Sequence, residues 1–211
     1  PDYWDSNKVF DIQTSWIDYA GKPLSSKTKV YWRVRTWDEK GEVSQWSHPA
    51  SIELGLLSSA QWQGQWIGHP DTQLPLNEGD AAQPSQDTLA TPQYLRKTFA
   101  VEKPVKQARL YITAKGIFKP YINGVEVAPA DVMLPGWTPH HKRIESLTYD
   151  VTALLDEGQN ALAASLAGGW YSMRVHNFVD REFRVPARLL AQLEITYMDG
   201  STQVIASDDS W

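Results

Sequence analysis

The sequence predicts an all-β protein of two β-sandwich modules, the second of them jelly-roll-like. Three observations carry that prediction. Apolar and polar residues alternate with a period of two in short runs, the pattern of a half-buried strand. Turn signals recur roughly every 8–12 residues, as they do in sandwiches. No long stretch shows the 3.6-residue apolar period of an amphipathic helix.

The first module is placed at residues 1–57. Residues 30–37 alternate two faces, with Trp32, Val34 and Thr36 on one side and Tyr31, Arg33, Arg35 and Trp37 on the other. Asp38-Glu39-Lys40-Gly41 is the turn that follows, with Gly41 free to take a positive φ. Ser44-Gln45-Trp46-Ser47 lies between this turn and a second alternating run at residues 51–54. Residues 58–92 are read as a linker and surface excursion. Trp62, Trp66 and Ile67 punctuate its start, and residues 69–91 are rich in Pro, Gln, Asp, Ala and Thr with no period.

The second module is placed at residues 93–211. Residues 94–99 and 108–114 alternate. Asn123-Gly124 sits between two short β-prone runs, a strong hairpin signal. Gly158-Gln159-Asn160 turns the chain into another run at 161–166. Met198-Asp199-Gly200-Ser201 joins runs 189–197 and 203–206 as a further hairpin. Ala153-Leu154-Leu155 is expected to form one helical turn capped by Asp150.

Composition narrows the function. The chain has 211 residues, 42% apolar and 21% charged, enough for real cores. A net charge of −5 with scattered basic residues gives no reason to expect nucleic acid or anionic membrane as partners. No apolar run approaches the roughly 18–20 residues that span a bilayer. Cysteine is absent, which removes disulfides and thiolate chemistry but assigns no compartment. The opening Pro1-Asp2-Tyr3 lies in structured-looking sequence, so the chain is expected to be cut from a longer one. Trp is abundant, with 10 copies. It suits both sandwich cores and sugar faces.

Longer motifs add a resemblance. The block YWRVRTWDEKGEVSQWS resembles the last two strands of a fibronectin type III module, truncated at its start. The block INGVEVAPADVMLPGWTPHHKR, followed by TYDVTALLDEGQNALAASLAGGWY, resembles the N-terminal region of bacterial α-L-rhamnosidases of glycoside hydrolase family 78. That resemblance implies sandwiches that precede an (α/α)6-barrel. In the family the barrel removes terminal α-L-rhamnose with inversion and holds the acidic catalytic residues. This chain is then expected to be a non-catalytic fragment, inactive alone, whose partner is the catalytic barrel of the same parent chain. The alternative is a carbohydrate-binding module for rhamnose-containing glycans.

Candidate contacts follow from residue chemistry. Trp137 offers an indole for stacking, with His140, His141 and Arg143 as donors. The plain alternative has Trp137 filling a core behind Pro135-Gly136. Trp170 and Tyr171 follow two glycines that permit close approach to a neighbouring domain, a core or a sugar. The adjacent pair His140-His141 is a poor zinc motif, since neighbours on a strand point to opposite faces. No cofactor or metal is expected, with calcium on Asn123, Asp131, Asn177 and Asp180 as the weaker alternative. No catalytic residue is assigned: Asp5, Asp11, Glu182, Glu194 and Asp208-Asp209 show no recognisable frame for a glycosidase carboxylate pair.

Overall fold

The computed structural model describes residues 2–11, 16–68, 92–140, 142–172 and 186–211. Almost all regular structure in them is β, and they divide into two compact units, residues 1–58 and 59–211. The all-β expectation holds.

In the first unit, β1 (Lys29–Trp32) pairs antiparallel with β2 (Ala50–Glu53), Val30 opposite Ile52 and Trp32 opposite Ala50. The run expected to continue to Trp37 stops being a regular strand at Trp32, and the cause is local. Ser44 and Ser47 donate their backbone N–H groups to the carbonyls of Thr36 (2.9 Å) and Val34 (2.8 Å). In return, the amides of Thr36 and Val34 donate to the serine hydroxyls, each at 3.0 Å. Side-chain oxygens thus stand where ladder carbonyls would be, and the pairing becomes irregular. The expected turn is present. Asp38 Oδ1 accepts from the amides of Lys40 (2.9 Å) and Glu42 (2.7 Å), and Gly41 takes φ +82°.

This hairpin carries a row of alternating cations and rings. Lys8 lies over Phe10 (4.7 Å) and Trp37 (5.1 Å), Arg35 over Trp37 (5.1 Å) and Trp46 (4.5 Å), and Arg33 over Trp46 (4.6 Å). Leu56 is the one buried apolar side chain among the described residues of this unit.

The second unit is a sandwich of two four-stranded antiparallel sheets. One holds β10 (Thr202–Ala206), β9 (Arg188–Tyr197), β4 (Val105–Lys115) and β7 (Leu147–Asp150), in that order. The other holds β3 (Gln93–Val101), β8 (Gly158–Ala167), β5 (Ile117–Ile122) and β6 (Val125–Glu126). Leu110, Ile112, Leu189, Leu193 and Ile195 from the first sheet share one core with Phe99, Phe118, Ile122, Leu162 and Leu166 from the second. Each such side chain contributes about 1.5–3 kcal/mol by leaving water. The strands predicted at 94–99, 108–114, 161–166, 189–197 and 203–206 all lie within these elements.

Turn chemistry sets the ends. Asn123 and Gly124 take φ 52° and 83° between β5 and β6, as a two-residue hairpin of this hand requires. The Asn123 carboxamide also works at longer range. Its oxygen accepts from the Ala161 amide (2.9 Å) and its nitrogen donates to Asn160 Oδ1 (2.8 Å). Asn160, buried, accepts from the Asp156 amide and donates to the carbonyls of Asp156 and Gly158. The helical turn expected at 153–155 is a 3-10 turn at Thr152–Leu154. Asp150 accepts from the amide and hydroxyl of Thr152 and pairs with Arg109 at 2.8 Å.

Residues 59–67, read from sequence as the start of a linker, are built into the second unit. Ile67 exchanges both backbone hydrogen bonds with Leu189, and Ile67 joins the core. The Gln65 amide donates to the Ser207 carbonyl (2.7 Å), and Ser207 Oγ donates to the Gln65 carbonyl (2.7 Å). Fully buried Gln192 accepts from the Gln63 amide and donates to the Gln61 carbonyl. This segment occupies the edge beside the first half of β9, where β10 does not reach.

Candidate functional site

The connection from β6 to β7 carries most of the sequence-derived candidates. Leu134 pins it: its carbonyl accepts from the Phe118 amide at 3.0 Å, and its side chain is buried. Met133 (φ 57°), a cis Leu134–Pro135 bond and Gly136 (φ 101°) turn the backbone sharply around that anchor. Beyond the anchor the loop presents apolar surface, with Val132 77%, Met133 47% and Trp137 75% exposed. The plain alternative, Trp137 as a core plug, is therefore overturned. Leu134 fills that role, and the indole points to solvent without a ring or cation against it among the described residues.

Thr138 closes the second half of the loop. Its buried hydroxyl donates to the Arg143 carbonyl at 2.8 Å, while the amides of Lys142 and Arg143 donate to the Pro139 carbonyl. Arg143 is exposed. His140 is half-buried and meets Tyr171 edge-on, ring centroids 5.3 Å apart. Burial pushes the His140 pKa below the ordinary histidine value, so the neutral ring is favoured. His141 lies outside the described residues.

Trp170 and Tyr171, both half-buried, lie on a single helical turn, α1 (Gly169–Ser172), directly after β8. Gly169 takes φ 48°, and a Cβ there would lie 2.6 Å from Ile117 Cγ2. Glycine is thus required to bring α1 against β5. The structure joins two of the candidate segments through His140 and Tyr171. It shows no ring contact between Trp137 and Trp170 among the described residues.

Oxygen ligands are mostly engaged. Asp131 accepts from the Tyr149 hydroxyl at 3.1 Å, and the Asn123 carboxamide serves the β5–β6 corner. Burial, and then Asp131, raise the Tyr149 pKa. Asn177 and Asp180 lie outside the described residues, as does Glu182. No group of three His, Asp or Glu side chains that could hold one metal ion occurs among the described residues. Asp208 is ion-paired to Lys97 at 2.7 Å and held by Ser210, which lowers its pKa to about 2. Asp199 is held low in the same way by Lys103 and Ser201. Glu194 accepts from Gln192 Nε2 at 2.7 Å.

Sequence reasoning passed over Val132 and Met133, which extend the exposed surface around Trp137. The signal was available as two apolar residues in a Pro- and Asp-containing stretch. It also passed over Trp66, whose ring takes the Lys115 ammonium at 5.0 Å.

Comparison with known proteins places the chain. Residues 103–211 match the alpha-L-rhamnosidase N-terminal domain, and residues 1–58 match the Rha78A-like N-terminal immunoglobulin domain. Immunoglobulin and fibronectin type III modules share the sandwich architecture. All of this chain aligns with an alpha-L-rhamnosidase of Alteromonas sp. (strain LOR) at 53% identity, and with one of Formosa agariphila at 46%. It spans 22% of the length of each. A solved α-L-rhamnosidase from Dictyoglumus thermophilum superposes on the whole chain with a TM-score of 0.78 at 29% identity, over 23% of its own length. That of Aspergillus terreus superposes on 90% of the chain with a TM-score of 0.73 at 34% identity, over 21% of its length. With more than half its residues matching that domain, the chain belongs to the α-L-rhamnosidase N-terminal domain family.

Proposed function

We propose that this chain is the non-catalytic N-terminal region of an α-L-rhamnosidase, and that it packs against and supports the catalytic barrel of the same polypeptide. One observation carries the reading: the Val132–Met133–Trp137 surface, apolar and exposed on a unit whose own core is already closed. Exposed apolar surface of this kind marks a docking face. Its place in a family whose members are about four to five times longer supplies a partner. The described carboxylates support the non-catalytic part, since Asp150, Asp199 and Asp208 are tied up in ion pairs. Co-expression with the catalytic barrel tests it. Co-purification and a more heat-resistant barrel are expected; a barrel indifferent to the chain contradicts the proposal. The purified chain alone is expected to release no nitrophenol from a nitrophenyl rhamnoside.

A second reading rests on the free Trp137 indole beside exposed Arg143. An uncovered ring with polar neighbours suits a rhamnose face. Calorimetry with rhamnose, with and without calcium, decides it. Heat at millimolar sugar that is lost in Trp137→Ala supports this reading, and none at that concentration counts against it.

A further inference from the structure

β4 and β9 end on two cations. Lys115 and Arg188 are direct cross-strand partners in the β4–β9 register, so their side chains leave the same face of the sheet. That face is the one opposite the core, because the adjoining residues Ala114 and Leu189 point into it. Like charges set directly opposite each other on a sheet repel. Both side chains are half-buried, which reduces the screening that water would provide.

Nothing in the described structure offsets this repulsion. Lys115 lies over the Trp66 ring at 5.0 Å. Arg188 donates to its neighbour's carbonyl, Ala187 O, at 3.4 Å, and lies across Gly68, where a Cβ would come within 2.5 Å of Nη1. Neither cation meets a carboxylate among the described residues. Glu145 reaches this part of β4 with its carbonyl, which accepts from Thr113 Oγ1 at 2.6 Å. Its carboxylate is turned instead toward Gly136, 3.9 Å from where a Cβ would stand. The other cations at strand ends and edges of this unit do have acids: Lys97 with Asp208, Lys103 with Asp199, Arg109 with Asp150 and Lys119 with Glu126.

Trp66 gives the two cations an apolar wall, and glycine at position 68 leaves room for the Arg188 guanidinium to lie flat. The same end of the sandwich bears α1. Gly116, next to Lys115, packs so closely that a Cβ would lie 2.4 Å from the Ala167 carbonyl and 3.2 Å from Ala187. An arginine and a lysine side by side, partly desolvated against an indole, form a receptor for a carboxylate.

We propose that Lys115 and Arg188, with Trp66 beside them, form a docking point for a surface carboxylate of the catalytic region of the full-length polypeptide. The proposal rests on the packing role proposed above and names the charge that the partner brings. Two things select that occupant over others: the unmatched pair of positive charges, and the roughly four-fifths of each relative's length that lies outside the aligned region.

The test compares Lys115→Gln and Arg188→Gln in the full-length polypeptide and in the 211-residue chain, by calorimetry. In the full-length protein each substitution is expected to lower the melting temperature by about 2–4 °C, with the loss shrinking at high salt. In the 211-residue chain the same substitutions are expected to leave it unchanged or raise it, because only repulsion is removed. Equal losses in both would place the counter-ion within residues 1–211 and overturn the proposal. So would no loss in either. If instead wild-type residues 59–211 melt in the full-length protein as they do alone, the packing role itself fails, an outcome distinct from packing that ignores these two side chains.

Discussion

The two units use the same local signals and reach different ends. In the second unit, alternating strands find a facing sheet, and Leu110, Ile112, Leu162 and Leu193 are fully buried. In the first, alternation yields a two-stranded ribbon whose apolar residues stay in water, with Trp32 53% and Ile52 57% exposed. A strand pattern specifies which face is apolar; a second layer must still exist to cover it. Within the first unit the described order comes from elsewhere: serine hydroxyls standing in for carbonyls, the Asp38 turn, and cations alternating with rings. Such contacts give roughly 0.5–1 kcal/mol each at exposed sites, against 1.5–3 kcal/mol for a buried aliphatic side chain.

Core truncation is the strongest way to break or sharpen this contrast. Leu193→Ala is expected to destabilise the second unit by about 2–5 kcal/mol in urea unfolding. Ile52→Ala is expected to cost under about 0.5 kcal/mol, as at other exposed sites. Similar losses at both positions would mean that the first unit has a core of its own.

Asn160→Ala comes next. It strips a buried carboxamide that serves the Asp156 amide, two carbonyls and Asn123. A loss of about 1–3 kcal/mol is expected, with amide exchange quickening first at the β5–β6 corner. Arg35→Ala removes the cation between Trp37 and Trp46. About 0.5–1 kcal/mol is expected, read as altered near-ultraviolet circular dichroism with the second unit's unfolding unchanged.

The smallest effect is a pH dependence. The folded-state pKa of Asp208 is depressed by Lys97 and Ser210 to about 2. The unfolded chain therefore binds the proton more readily. The contribution is complete above the ordinary carboxylate value of 3.8 and is lost as pH falls from there through about 2. Asp208 is 45% exposed, so water screens the pair, and its worth is at most about 1 kcal/mol. Asp208→Asn is expected to flatten the stability profile over that window. An unchanged profile would show that the pair contributes nothing.

Much of the second unit was legible because its signals are local. Asn123-Gly124 and Asp199-Gly200 mark hairpins by the positive φ they supply, and β8 alternates cleanly. What was not legible depends on distant partners. Gln65, Trp66 and Ile67 form too short a run to show a period, and they become an edge only because β10 stops before Leu189. The early end of β1 depends on two serine side chains across the hairpin, which no alternation encodes. In the candidate site, residue types pointed to Trp137 and His140. The exposure of one and the Tyr171 contact of the other follow from Leu134 taking the anchoring position and from Gly169 admitting α1 beside β5.

The most direct test of the scaffold account is calorimetry of the full-length polypeptide beside the isolated 211-residue chain. The account expects residues 59–211 to melt together with the catalytic region, at a higher temperature than they do alone. Two independent transitions, one of them at the isolated chain's own temperature, would contradict it.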